Sequence, residues 1–202
     1  MLTNYLRAGL SLLLICGAAG CQVYGQDSNV LTLAEYNMAS LDHQQNAMLT
    51  LGGWAVLNIG AGLALRGGSE GSARHFHEMN ALWNTVNLAI AGFGYYSALK
   101  SDPAAWDLAT SLSKHGNFQK ILLFNTGLDV GYILGGLYLT ERAKRPGENM
   151  DRLKGFGNSI MLQGGFLFAF DLVNYLIATK LNGTLPLTLG PIGEGLGLLL
   201  RF

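Results

Sequence analysis

The sequence predicts an all-α fold: a polytopic four-helix transmembrane bundle with a polar core, preceded by an amphipathic helix and followed by a short extended tail. Three observations predict it. Half of the chain is hydrophobic and only 13% is Asp, Glu, Lys or Arg, against roughly 25% in soluble domains. Four apolar segments follow one another, each about as long as the ~20 residues that cross ~30 Å of hydrocarbon as helix. Within each segment the polar residues fall toward one side, as a bundle with an inward polar face requires.

The elements follow in chain order. Residues 1–25 read as a secretion signal, with Arg7, then an apolar run from Ala8 to Ile15, then small residues. That run is too short to span a bilayer well. Two processing readings compete: simple cleavage near Gly25, which is preferred, and lipidation at Cys21. Cys16 and Cys21 are the two cysteines of the chain, so a processed chain has no disulfide and no Cys-based metal site or nucleophile. Residues 26–46 read as an amphipathic helix at the membrane interface, with Leu33, Tyr36, Met38 and Leu41 as its apolar positions.

The membrane domain is expected over 47–180, with spans at 47–65, 80–99, 121–139 and 159–179. The connectors are polar and carry the turn signals Asp102-Pro103 and Pro146-Gly147. Residues 181–202 form the tail. Pro186 and Pro191 forbid a long helix there, and Leu185, Leu187 and Leu189 alternate as in an extended segment.

Charge sets limits on partners. Lys plus Arg balance Asp plus Glu at 13 each, so no basic footprint for nucleic acid exists. The expected partner is the lipid bilayer, and the expected location is a bacterial inner membrane with the mature N-terminus outside. Seven Lys and Arg lie in the first and third connectors against five elsewhere after the first span, a small positive-inside bias. The 28 glycines suit close helix packing. Gly127, Gly131 and Gly135 form a small-xxx-small row, read first as packing within the bundle and second as a face for a homo-oligomer.

The polar residues within the spans are the candidate site. The first span contributes Asn58, on a stripe with Asn46, Thr50 and Trp54. The second contributes Asn80, Asn84 and Asn87, with His77 just before it at the interface, spaced so that all four share one helical face. The third contributes Asn125, Asp129 and Tyr132, and the fourth Gln163, Asp171 and Asn174.

Asp129 and Asp171 carry the sharpest signal. A carboxylate near the middle of a span costs ~2.5–3.5 kcal/mol on insertion scales, so each needs a partner or a role. One reading is a proton or cation site. The other is a hydrogen-bonded Asp that joins helices. For the asparagines, structural hydrogen bonding is the simpler reading.

Other chemistry has little support. His75, His77 and Glu78 cluster at the start of the second segment, but alternate histidines on a helix point about 200° apart, which argues against a shared metal. No span holds a His, so none offers an axial haem ligand. No nucleophile motif or phosphate loop is present, and no cofactor is implied.

The stretches "LGGWAVLNIGAG", "HFHEMNALWNTVNL", "LLFNTGLDVGY" and "GFGNSIMLQGGFLFAFDLVNYL" resemble a small bacterial membrane family known as a domain of unknown function. The resemblance covers about residues 45–178. It implies a four-span envelope protein with a signal-like N-terminus and transfers no catalytic role.

Two functions are therefore in view. The first is binding or movement of a small polar solute or a proton through the polar core. The second is a non-catalytic structural or assembly protein of the cell envelope, whose polar stripes only fix helix register.

Overall fold

The computed structural model describes residues 31–146, 149–185, 187–192 and 195–200, the last two stretches as backbone. The signal region and the 201–202 terminus lie outside the described residues. Four long helices account for most of what is described: α1 (Leu33–Arg66), α2 (Gly71–Leu99), α3 (Leu108–Arg142) and α4 (Met150–Asn182). The tail backbone pairs as two antiparallel strands, β1 (Leu187–Ile192) and β2 (Gly195–Leu200), with Leu187 opposite Leu200 and Ile192 opposite Gly195.

Each helix starts where its sequence supplies a cap or a turn. Thr32 begins α1 with a capping box: its Oγ1 accepts from the Glu35 N–H, and Glu35 Oε2 accepts from the Thr32 N–H at 2.8 Å. These bonds hold the Glu35 carboxyl below the usual range. Gly71, at φ +54°, makes the turn into α2, a conformation that favours glycine. A short 3-10 turn at Pro103–Ala105 precedes α3, which Asp107 caps by accepting from the Thr110 N–H at 2.8 Å. That bond lowers the Asp107 carboxyl likewise. Asn149 Oδ1 accepts from the Arg152 N–H at 3.2 Å and starts α4.

The helices are longer than the apolar runs within them. The 34 residues of α1 extend about 50 Å, well past ~30 Å of hydrocarbon. Residues 33–46 of the expected amphipathic stretch and the first apolar segment are continuous in α1, since nothing between Asn46 and Ala47 breaks the helix. The first turns of α1 bury Tyr36, Asn37, Ser40 and Leu41. They dock on the start of α3 and the end of α4: Tyr36 Oη donates to Asn182 Oδ1 at 3.0 Å, and Asn37 Nδ2 donates to the Pro103 carbonyl at 3.0 Å.

Close backbone approach runs in the order α1–α2–α4–α3. Glycines make it possible. A Cβ on Gly62 of α1 would lie 2.7 Å from the His77 carbonyl oxygen of α2. A Cβ on Gly136 would lie 2.6 Å from the Gly157 carbonyl oxygen, and one on Gly157 equally close to that of Gly136. By contrast, a Cβ on Gly127, Gly131 or Gly135 would meet nothing within 4 Å among the described residues. The expectation that this row packs within the bundle is thus corrected: it faces outward.

Three helices, α1, α3 and α4, are long and apolar enough to cross a membrane. α2 is not among them, although a span was expected at 80–99; Asn80, Asn84 and Asn87 dilute its apolar run. Large apolar side chains face outward, and the interior holds both an apolar cluster of Ala47, Leu51, Ala91 and Phe170 and a set of buried polar side chains. Phe93 is 78% exposed and Phe124 68%, whereas Asn84, Ser159 and Gln163 are fully buried. That arrangement inverts the pattern of a water-soluble bundle.

Candidate functional site

The buried polar side chains form three groups along the bundle. The first joins α1, α2 and α4. Trp54 Nε1–H donates to Gln163 Oε1 at 2.8 Å, which turns the Gln163 amide nitrogen toward Asn80 Oδ1 and Asn58 Oδ1. Asn80 Nδ2 donates to the same Asn58 Oδ1 at 2.8 Å, and Asn58 Nδ2 donates back to the Trp54 carbonyl at 2.8 Å. The ring of contacts closes on itself. The Trp54 indole also stacks on Phe166, with centroids 3.8 Å apart. Asn84 and Asn87 extend the group along α2: Asn84 Nδ2 donates to the Asn80 carbonyl and Asn87 Nδ2 to Asn84 Oδ1.

The second group lies between α3 and α4. Asp129 and Asp171 are both buried. The two carboxyls influence each other electrostatically across α3 and α4. Among the described residues, Asp129 Oδ2 has no hydrogen-bond partner. No Lys or Arg lies within either apolar run. Two neighbouring carboxylates repel, so a carboxyl pair without a cation favours holding a proton.

The third group sits at the end of the bundle where α1 and α3 begin and α4 ends. Ser40 Oγ lies 2.9 Å from His115 Nδ1, and His115 Nε2 lies 2.8 Å from the Ala178 carbonyl oxygen. A carbonyl can only accept, so Nε2 carries the proton and Ser40 donates to Nδ1. His43 Nε2 lies 2.9 Å from Asn174 Oδ1. Both histidines lie outside the apolar runs 47–65 and 121–139. Burial holds both below the usual imidazole range; a bond from His43 to Asn174 and one from His115 to Ala178 oppose that shift in part. Burial also pushes the Tyr36 phenol up to about 12.

The Ser40–His115 contact has the geometry of a nucleophile and its base. Both residues are buried, at 3% and 2% exposure, so the pair joins α1 to α3 and α4 away from solvent.

Of the residues expected at one polar core, the structure brings Asn58, Asn80, Asn84, Asn87 and Gln163 together. It places Asn125, Asp129 and Asp171 in a separate pair of helices, and Asn174 in the end group. His77 makes a ring contact with its neighbour Phe76, and Tyr132 an edge contact with Trp83 at 4.9 Å; neither joins the hydrogen-bonded groups. Thr50 donates to the Asn46 carbonyl on the exposed side of α1. Tyr36, Ser40, His43 and His115 were not expected. A signal for three of them existed: 36, 40 and 43 fall at i, i+4 and i+7, one face of α1.

Two open surface concavities lie outside these groups. One is apolar, on α2 at Ala89, Gly92, Phe93 and Tyr96. The other lies at the α1–α2 turn, lined by Leu63, Arg66, Gly67 and Arg74. There Arg66 pairs with Glu78 at 3.3 Å. Among the described residues no cluster of three or more His, Cys, Asp or Glu is placed to hold a metal.

Apolar helices of spanning length outside, with amides and carboxyls joining them inside, define a helical protein compatible with the membrane. The chain belongs to DUF6992, a family of unknown function, which matches residues 50–172, more than half of its length. That stretch holds the first two polar groups whole and leaves His43 and Asn174 outside. No curated protein and no solved structure matches the chain.

Proposed function

We propose that this chain is an integral protein of the bacterial inner membrane, with its N-terminus outside, whose Asp129–Asp171 pair binds an exchangeable proton within the bundle. Two buried carboxyls that influence each other, in apolar runs without a Lys or Arg, support this reading. It favours a proton over a small polar solute, because the Trp54–Gln163–Asn80–Asn58 ring already uses its polar groups on one another. The outward glycine row at Gly127, Gly131 and Gly135 supports a homo-oligomer through α3.

The same closed ring favours a second reading, in which the polar groups only set helix register in a structural or assembly protein. A potentiometric difference titration of the purified protein in detergent separates the two. Wild type is compared with the D129N/D171N double variant, with circular dichroism confirming that the variant is folded. The proton-site reading predicts loss of protons exchanged by the wild type. Superimposable titration curves for two folded proteins would leave only the structural reading.

A further inference from the structure

The end group contains an imidazole nitrogen, His43 Nδ1, with no hydrogen-bond partner among the described residues. Asn174 Nδ2 donates to the Phe170 carbonyl at 2.8 Å, so its amide orientation is fixed and Oδ1 faces His43. An amide oxygen only accepts, so His43 Nε2 carries the ring proton. Nδ1 is then a lone pair, and that atom is buried without a hydrogen-bond partner among the described residues. His115 differs, because its Nδ1 already accepts from Ser40 and its Nε2 is held by Ala178. To protonate His115, the Ser40 hydroxyl must turn away. To protonate His43, no existing bond has to break.

We infer that His43 is a second proton-binding site, which takes its proton on Nδ1 and is linked electrostatically to the Asp129–Asp171 pair. The link rests on the proton-site reading of that pair. Asp171 lies three residues before Asn174, the residue that His43 touches, on α4, and the inferred link is the long-range influence of charges placed that near in the chain.

The ring's surroundings are these. From α3, Phe118 meets it edge-on with centroids 5.6 Å apart, and His115 repels a second positive charge. Lys114 is occupied over the Trp106 ring, 4.9 Å away. From α4 come Asn174 and, behind it, Asp171. On α1, Asp42 is exposed, and the Tyr36 hydroxyl is committed to Asn182. A cation at His43 therefore favours the ionised state of the carboxyl pair, and a proton on the pair disfavours one on His43. By linkage the two effects are equal.

Nitrogen-15 NMR of the full chain in detergent micelles, with labelled histidine and pH varied, tests this. In the wild type the His43 ring is expected as the Nε2–H tautomer and to gain its proton at Nδ1 before His115 does. N174D, which places a carboxylate against the ring, is expected to raise the His43 midpoint by about one pH unit, a tenfold gain in proton affinity. D171N is expected to lower it. An Nδ1–H tautomer, or a His43 midpoint that follows neither substitution in a folded protein, would overturn the inference. These signals belong to the ring itself. Failure of the carboxyl pair to exchange protons is read separately, from the difference titration.

Discussion

The Trp54 indole donates to the Gln163 amide oxygen across 2.8 Å, joining the middle of α1 to the middle of α4, two helices whose backbones make few close contacts. Gln163 is fully buried and also donates to Asn80 of α2. One side chain thus ties three helices. Gln163→Leu keeps the volume roughly and removes every one of these bonds. Unfolding in mixed detergent is expected to show a loss of about 1–3 kcal/mol, the cost of leaving buried donors and acceptors unpaired. A loss no greater than the ~0.6 kcal/mol typical of single interhelical bonds in membranes would show that the ring of contacts does not act as a unit.

Glycine placement gives a sharper pair of variants. Gly136→Ala drives a methyl into the Gly157 carbonyl, where the obstacle is backbone and cannot swing aside. A loss of about 1–3 kcal/mol is expected, as for other overpacked contacts. Gly131→Ala meets open space and is expected to gain up to about 1 kcal/mol from helix propensity. The thermal midpoints of the two variants in detergent should move in opposite directions. If Gly131→Ala also destabilises, and does so with a change in oligomeric state, the outward row is an interface between copies.

The end group should respond to acid. Both His43 and His115 are held by burial below the ordinary imidazole range, so the folded chain prefers them neutral. The unfolded chain takes up protons first as pH falls. Stability from these rings is therefore full above the ordinary imidazole value and is lost as pH drops from about 6.5 toward the folded values. Amide exchange over 33–46 should accelerate across that window more than exchange over 121–139. Equal protection of 33–46 on both sides of the window would contradict the placement of these rings.

Much of this was legible in the residues. The polar stripe of α2 pointed inward because 80, 84 and 87 share a face with nothing polar opposite them. Gln163, Asp171 and Asn174 were legible for the same reason. The glycine row of α3 misled, although the sequence held the correction. Residues two apart on a helix point about 200° apart, so a buried Asp129 turns Gly127 and Gly131 outward and brings Gly136, seven residues on, to the packed face. His43 and His115 stayed out of view because both lie beyond the apolar segments, in stretches whose polarity reads as connector. Their burial comes from α1, α3 and α4 extending past the hydrocarbon length together, which no single segment reveals.

In the proposed function Asp129 and Asp171 act as one carboxyl pair. Infrared difference spectroscopy across pH, on the protein in detergent, reads the carboxyl C=O band directly. A pH-dependent band is expected that shifts or disappears in D129N and again in D171N, because each substitution removes half of the same pair. A band that either substitution leaves unchanged, in a protein that still folds, would contradict it.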